Sequence, residues 1–346
     1  MSTSTAVSTR ILPFSRGQLI VLALLAAAPL VTLVFPSIAL AGPLRNVIAF
    51  AIMALGLNIV VGWTGLLHLG IAAFAAIGAY AFGIFTCEVY PFQFGFWGGL
   101  LLAGACGAFG GWLLGAPTLR LRGDYLAIVT LGFGEIVQDA LKNLEIITKG
   151  TQGINPLPVP TAPGIEFSSE SPTRWFYLYL ALLAVCVWLC RNLEFSRLGR
   201  QWFAVREDEL AARCMAIEPD KAKLKAFAAG AALAAIAGAL GARVLSSTGE
   251  PGNYDFQVSI LALCIVIVGG IGSITGVLVG AIVMVGLNAI LLPGLTHMLQ
   301  TAGLDSSSNV LRSPNNYTYM LFGLALVLMM RFRPDGIVHT KKAVRS

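Results

Sequence analysis

Charge is scarce in this chain of 346 residues. Only 12% of the residues are Asp, Glu, Lys or Arg, and there are 3 histidines. Soluble domains carry about 25% charged residues, so this composition does not supply an ordinary water-facing surface. Histidine, cysteine and carboxylate never gather at metal-ligand spacing, which gives a metal site no basis. No Ser/His/Asp or Cys/His set of the kind used in nucleophilic catalysis stands out, so enzyme chemistry has thin support. No Gly-x-x-x-x-Gly-Lys-Ser/Thr run occurs. The chain therefore does not hydrolyse ATP by the P-loop route. The glycine-rich 269–273 (GGIGS) joins two apolar runs rather than a strand and a helix, and reads as a turn or broken helix. The 6 cysteines, Cys87, Cys106, Cys186, Cys190, Cys214 and Cys264, lie mostly in apolar runs and imply no disulfide. No cofactor is expected.

Long uncharged runs are abundant. Hydrophobic residues make up 57% of the chain and the mean hydropathy is +0.79. A transmembrane helix needs about 20 apolar residues, and such runs recur from end to end. The alternation of a membrane barrel is missing. The expected fold is all-α, a polytopic helical membrane protein with about ten transmembrane helices. It divides into an N-terminal tail 1–17, a membrane domain 18–333 and a C-terminal tail 334–346. Most of the 23 Lys and Arg fall on alternate connections. By the positive-inside rule both termini and the loop 191–225 are cytoplasmic, while the loop 142–174 is outside. The net charge of +6 then faces anionic membrane lipid and is no sign of nucleic acid.

The charge that exists is concentrated in 196–225 (SRLGRQWFAVREDELAARCMAIEPDKAKLK). Within it, 209–217 suits a short amphipathic helix, with Leu210, Cys214 and Ile217 at i, i+4 and i+7. Pro219 discourages its continuation. Such a loop reads either as a surface for a soluble partner or as a positive-inside anchor.

Other features sit in the apolar runs. Gly107, Gly111 and Gly115 recur every fourth residue, as do Gly272, Gly276 and Gly280. Each set forms a smooth helical stripe for close packing, or for sliding during gating. Glu135 lies in the least apolar span, with Gln138, Asp139 and Lys142 at helical spacing from it. An ionisable residue there is either functional or tucked against protein. Asn58 and His68 are polar side chains within the early spans. His68, flanked by glycines in GLLHLG, reads first as a packing or hydrogen-bonding residue and second as part of a path. The outer segment 148–160 (TKGTQGINPLPVP) is dense in Gly and Pro. It reads as a rigid turn, with a docking or gate-capping role favoured by its length.

Six segments together resemble the LivM-type permease subunits of bacterial ABC importers for branched-chain amino acids. They are ALGLNIVVGWTGLLHLGIAAFAAIGAY (54–80), PTLRLRGDYLAIVTLGFGEIV (117–137), TKGTQGI (148–154), SRLGRQWFAVREDELAARCMAI (196–217), KLKAFAAGAALAAIAGAL (223–240) and VGGIGSITGVLVGA (268–281). They follow one another in family order. The resemblance implies a multi-pass inner-membrane permease that pairs with a LivH-like permease, two ATPase subunits and an extracytoplasmic substrate-binding protein. It also implies that 209–217 is the cytoplasmic segment that docks on the ATPase, with Glu209, Ala211 and Ala212 matching the family pattern and Ala216 standing where glycine is usual. Arg206 and Glu209 are the charges whose reversal is expected to uncouple transport. His68 stands where serine is common, and Ile71 where histidine is common. The translocation path is expected to include Asn58, His68 and Glu135. Relatives of this family are similar to urea and short-amide permeases. Outside the family, the alternative is a stand-alone ion-coupled transporter using Glu135 and Asp139 as a relay.

Overall fold

The computed structural model describes residues 14–30, 41–91, 93–118, 124–157, 172–286, 318–333 and 336–338. Residues 1–13, 158–171 of the 142–174 loop and most of the 334–346 tail, all part of the expected layout, lie outside the described residues.

The described chain is helical and contains no strand. Its helices are α1 (Arg16–Ala27), α2 (Ala41–Asn58), α3 (Ile71–Thr86), α4 (Gly95–Thr118), α5 (Asp124–Asn143), α6 (Glu145–Thr148) and α7 (Pro172–Phe195). They continue with α8 (Arg197–Glu207), α9 (Glu209–Cys214), α10 (Pro219–Leu245), α11 (Phe256–Gly269), α12 (Ile274–Gly286) and α13 (Thr318–Phe332). Among the described residues, 5 helical stretches can cross a membrane by length and composition: Gly42–Trp63, Gly95–Thr118, Thr173–Phe195, Pro219–Leu245 and Pro251–Gly269. Shorter apolar helices are Arg16–Ala27, Ile71–Thr86, Ile274–Gly286 and Phe322–Phe332. α5, expected to be the least apolar span, is in neither group, because Glu135, Asp139 and Lys142 interrupt it.

α10 is the hub. It runs for 27 residues and packs on α4, α3 and α2. Small residues make this possible, since apolar attraction between helices is weak in lipid and close backbone approach must supply the contact. A Cβ at Gly107 would lie 2.7 Å from the Ala231 carbonyl oxygen, and one at Gly111 would lie 2.7 Å from that of Phe227. Gly115 faces Leu224. The 107/111/115 stripe is thus the seam between α4 and α10. Gly276 and Gly280 form the matching seam of α12 against Gly269 and Ile265 of α11. Gly272, expected on the same stripe, is not helical: it sits in the turn before α12 with φ +89°.

α2 does not end cleanly. Its last residue, Asn58, leads into a π-helical turn, Ile59–Trp63, followed by an irregular 65–70 before α3 begins. π turns inside helices are rare and concentrate at functional sites. The break is buried: Val60 and Trp63 are at most 1% exposed.

Candidate functional site

The charged segment folds as two short helices, and their caps are written in the sequence. Ser196 caps α8, its Oγ accepting from the Gly199 amide at 3.2 Å. Asp208 breaks the helix with extended backbone and caps α9, accepting from the Leu210 and Ala211 amides at 2.8 and 3.0 Å. Both are good N-cap residues. At the other end of α9 the Ile217 amide donates to the Ala212 carbonyl and the Ala216 amide to that of Arg213, each at 3.1 Å. This is a Schellman closure, which requires a left-handed residue at Ala216, where φ is +59°. Left-handed backbone costs an L-residue about 1–2 kcal/mol. Ala216→Gly is therefore expected to stabilise the end of α9 by about 1 kcal/mol. Hydrogen exchange at the Ile217 amide should slow about fivefold; faster exchange would contradict the cap assignment.

The faces of α9 differ sharply. Ala212 is 3% exposed and joins the core, while Leu210 and Met215 are 72% and 78% exposed. Ala211, Cys214 and Ala216 are exposed as well, and Ile217 is half-buried. The expected stripe of Leu210, Cys214 and Ile217 therefore faces outward through its first two members. Met215, at the C-terminal end of α9, is exposed too. Glu209 points the other way, to Lys223 Nζ at 2.7 Å and Arg213 Nη2 at 2.8 Å. The Lys223 hydrogen bond is the main reason its carboxyl is held below the ordinary glutamate range. The sign follows: a depressed carboxyl pKa stabilises at pH above the unfolded value and loses that contribution only as pH falls through the lower folded value. The tie is intact at neutral pH.

α8 carries the second connection. Trp202 Nε1 donates to the Ala222 carbonyl at 2.8 Å, and its ring stacks on Trp63 with centroids 5.9 Å apart. Arg206 Nη1 donates to the Gly62 carbonyl, inside the π turn. Gly272 completes the junction: its amide donates to Asn58 Oδ1 at 2.8 Å, and its carbonyl accepts from Trp63 Nε1 at 3.2 Å. Arg206, Gly62, Asn58, Trp63 and Gly272 thus meet at one point, where two helix breaks lie against the charged segment. The tail adds a strap, since the Ile337 and Val338 amides donate to the Val268 and Gly269 carbonyls at 3.0 and 3.1 Å.

The remaining site residues are placed apart from this junction. His68 is 1% exposed, between the Phe74 and Phe227 rings at 5.6 and 5.4 Å. Neither of its ring nitrogens has a hydrogen-bond partner, and Asn58 Nδ2 also lacks one. The next residue is held by polar contact, the Leu69 amide donating to Thr130 Oγ1 of α5 at 3.1 Å. Glu135 lies on the open side of α5 with Ile128, Ile136 and Asp139, whereas Gln138 turns inward and donates to the Pro251 carbonyl. No group of three or more metal-ligating side chains occurs among the described residues.

Residues 39–330 match the family described as the branched-chain amino acid transport system permease component. The chain belongs to this family. The permease is 39% identical over 310 residues to the high-affinity branched-chain amino acid transport permease LivM of Salmonella typhimurium and to that of Escherichia coli. The match covers 84% of this chain and 67% of each relative. It is 24% identical over 308 residues to LivH of Salmonella typhimurium, covering 84% of this chain and 91% of that one. No solved structure matches the permease. Sequence reading missed Lys223, Trp63 and Trp202 in this permease. Helical geometry held a signal for Lys223: positions 221 and 225 share a face, and 223 falls on the opposite one.

Proposed function

We propose that the chain is the transmembrane permease subunit of an ABC importer for branched-chain amino acids, driven by ATP hydrolysis in separate ATPase subunits. Its partners are a LivH-like permease, two ATPase subunits and an extracytoplasmic substrate-binding protein. The 18–333 domain crosses the bacterial inner membrane about ten times, with both termini and the 191–225 coupling loop in the cytoplasm and the 142–174 loop outside. The observation that carries this reading is the Arg206 junction. A short capped helix presents Leu210 and Met215 outward, while the helix before it grips a break in the membrane domain. A soluble motor pressing on α9 would thereby bias a two-state element among the buried helices.

His68 and Glu135 fit a translocation path in different ways. A buried imidazole with no partner marks a place where a polar cargo gains hydrogen bonds that the protein withholds. Glu135 and Asp139 on one face of α5 are costly against lipid, so this face borders water or the second permease. Asn58 is committed to Gly272 through its oxygen, which makes it a bracket of the break.

The test is uptake into proteoliposomes carrying both permeases and the ATPases, with binding protein present. ATP-dependent entry of leucine is expected, with urea and short amides entering slowly or not at all. Entry of urea or amides in preference to leucine would change the substrate. Entry driven by an ion gradient through this chain alone would overturn the importer reading and favour the Glu135–Asp139 relay.

A further inference from the structure

Lysines recur at every second residue at the start of α10, and one of them behaves unlike the others. Lys221 is 70% exposed, in a surface pair with Glu218, and Lys225 is also exposed. Lys223 is 8% exposed. A lysine at a membrane surface ordinarily extends its stem to bring the ammonium into water. Lys223 instead turns under the loop and meets Glu209 Oε2 at 2.7 Å, 14 residues back in the chain. Glu209 opens α9, directly after the extended Asp208 that separates α9 from α8.

We propose that Lys223 is a positioning residue for transport: it transmits displacement of the docking helix α9 to the hub helix α10. This rests on the ABC-importer reading. A buried ammonium is tolerated when it is paired, and parting it from its carboxylate leaves an uncompensated charge in a poor solvent. Glu209 and Lys223 therefore move together. The helix they join is the one suited to be moved. α10 meets its neighbours through Gly230, Ala231, Ala235 and Gly238, a smooth surface along which backbones approach closely.

The segment thus has two separate grips. Arg206 holds the break at Gly62, and three residues later Glu209 holds α10. A push on α9 reaches both the break and the hub without needing new contacts in the membrane.

The experiment uses the complete importer, with both permeases, ATPases and binding protein, and reads leucine uptake and ATP hydrolysis side by side. Lys223→Met keeps the stem and removes the charge. It is expected to lower uptake about tenfold or more while hydrolysis stays within about twofold of wild type and the ATPases still co-purify. The exchange Glu209→Lys with Lys223→Glu restores the pair in reverse and should bring uptake back to within about threefold of wild type. Lys221→Met and Lys225→Met make the same charge change at exposed sites and should leave uptake per ATP unaltered. Wild-type-like uptake by Lys223→Met would overturn the proposal. So would an exchange variant no better than Lys223→Met, or loss of the ATPases from the purified Lys223→Met complex. Failure of the importer reading is distinguishable, because the wild-type complex itself would then show no ATP-driven uptake.

Discussion

A tryptophan at position 212 is expected to abolish uptake at unchanged membrane insertion, and the cause lies beneath α9. Ala212 is 3% exposed and belongs to the apolar core, so the larger ring has no room unless α9 lifts away from α8 and α10. Its carbonyl also takes the Ile217 bond that closes α9. Forcing volume into a packed site costs about 1–3 kcal/mol. That strain falls on a six-residue helix with little stability of its own, so the helix yields before the membrane domain does. Lifting α9 draws Glu209 from Lys223 and tilts the outward surface of Leu210 and Met215. Uptake at equal expression and equal carbonate-resistant membrane content is the measurement. Normal uptake by Ala212→Trp would show that α9 does not carry force. Leu210→Trp is the informative comparison, since that residue is 72% exposed and its change alters the outer surface without lifting the helix.

The class of fold was legible because composition and span length constrain it directly. Few charges and repeated apolar runs leave closed helices as the way to satisfy the backbone in lipid. The glycines of 107, 111 and 115 were legible as a seam for the same reason, since a missing side chain at every fourth position permits close approach. Their partner was not legible. Nothing local to the 107–115 segment says that Phe227 and Ala231 lie across from it. Gly272 misled because its spacing to Gly276 and Gly280 continues a helical period, whereas its positive φ places it in a turn. A short helix beginning at Glu209 was legible in the charged segment, but it ends at Cys214 through the left-handed Ala216, three residues short of the expected 217, and Pro219 opens α10. The junction behind that helix was not legible. Arg206 meets Gly62 across 144 positions, and Gly272 meets Asn58 across 214. Pairings of that range are decided by how helices stack, and periodicity carries no information about them. Asn58 shows the consequence: its residue type fits a translocation path, yet its oxygen is spent on a backbone amide that would otherwise be unsatisfied in the core.

Gly62→Val is expected to do the most damage of any single change in the junction. The π turn brings Gly62 so close to the 269–273 turn that a Cβ there would lie 2.8 Å from the Gly272 nitrogen and 2.9 Å from its Cα. Backbone atoms do not swing aside as a side-chain tip would, so one break must withdraw from the other. Three hydrogen bonds are then at risk together: the Gly272 amide to Asn58, Trp63 to the Gly272 carbonyl, and Arg206 to the Gly62 carbonyl. A buried backbone group left unpaired costs about 1–3 kcal/mol, and valine adds the strain of overpacking. The expected result is uptake at background and a thermal midpoint lowered by several degrees, about the size that a loss of 2–4 kcal/mol gives in a domain this large. Arg206→Gln removes only the guanidinium contact and leaves both glycines in place. It unpairs the Gly62 carbonyl alone, so its midpoint should fall less than that of Gly62→Val while most uptake is still lost. If Gly62→Val melted with wild type and transported normally, the two breaks would not be a working joint. If Arg206→Gln alone transported normally, the joint would stand but the charged segment would not drive it.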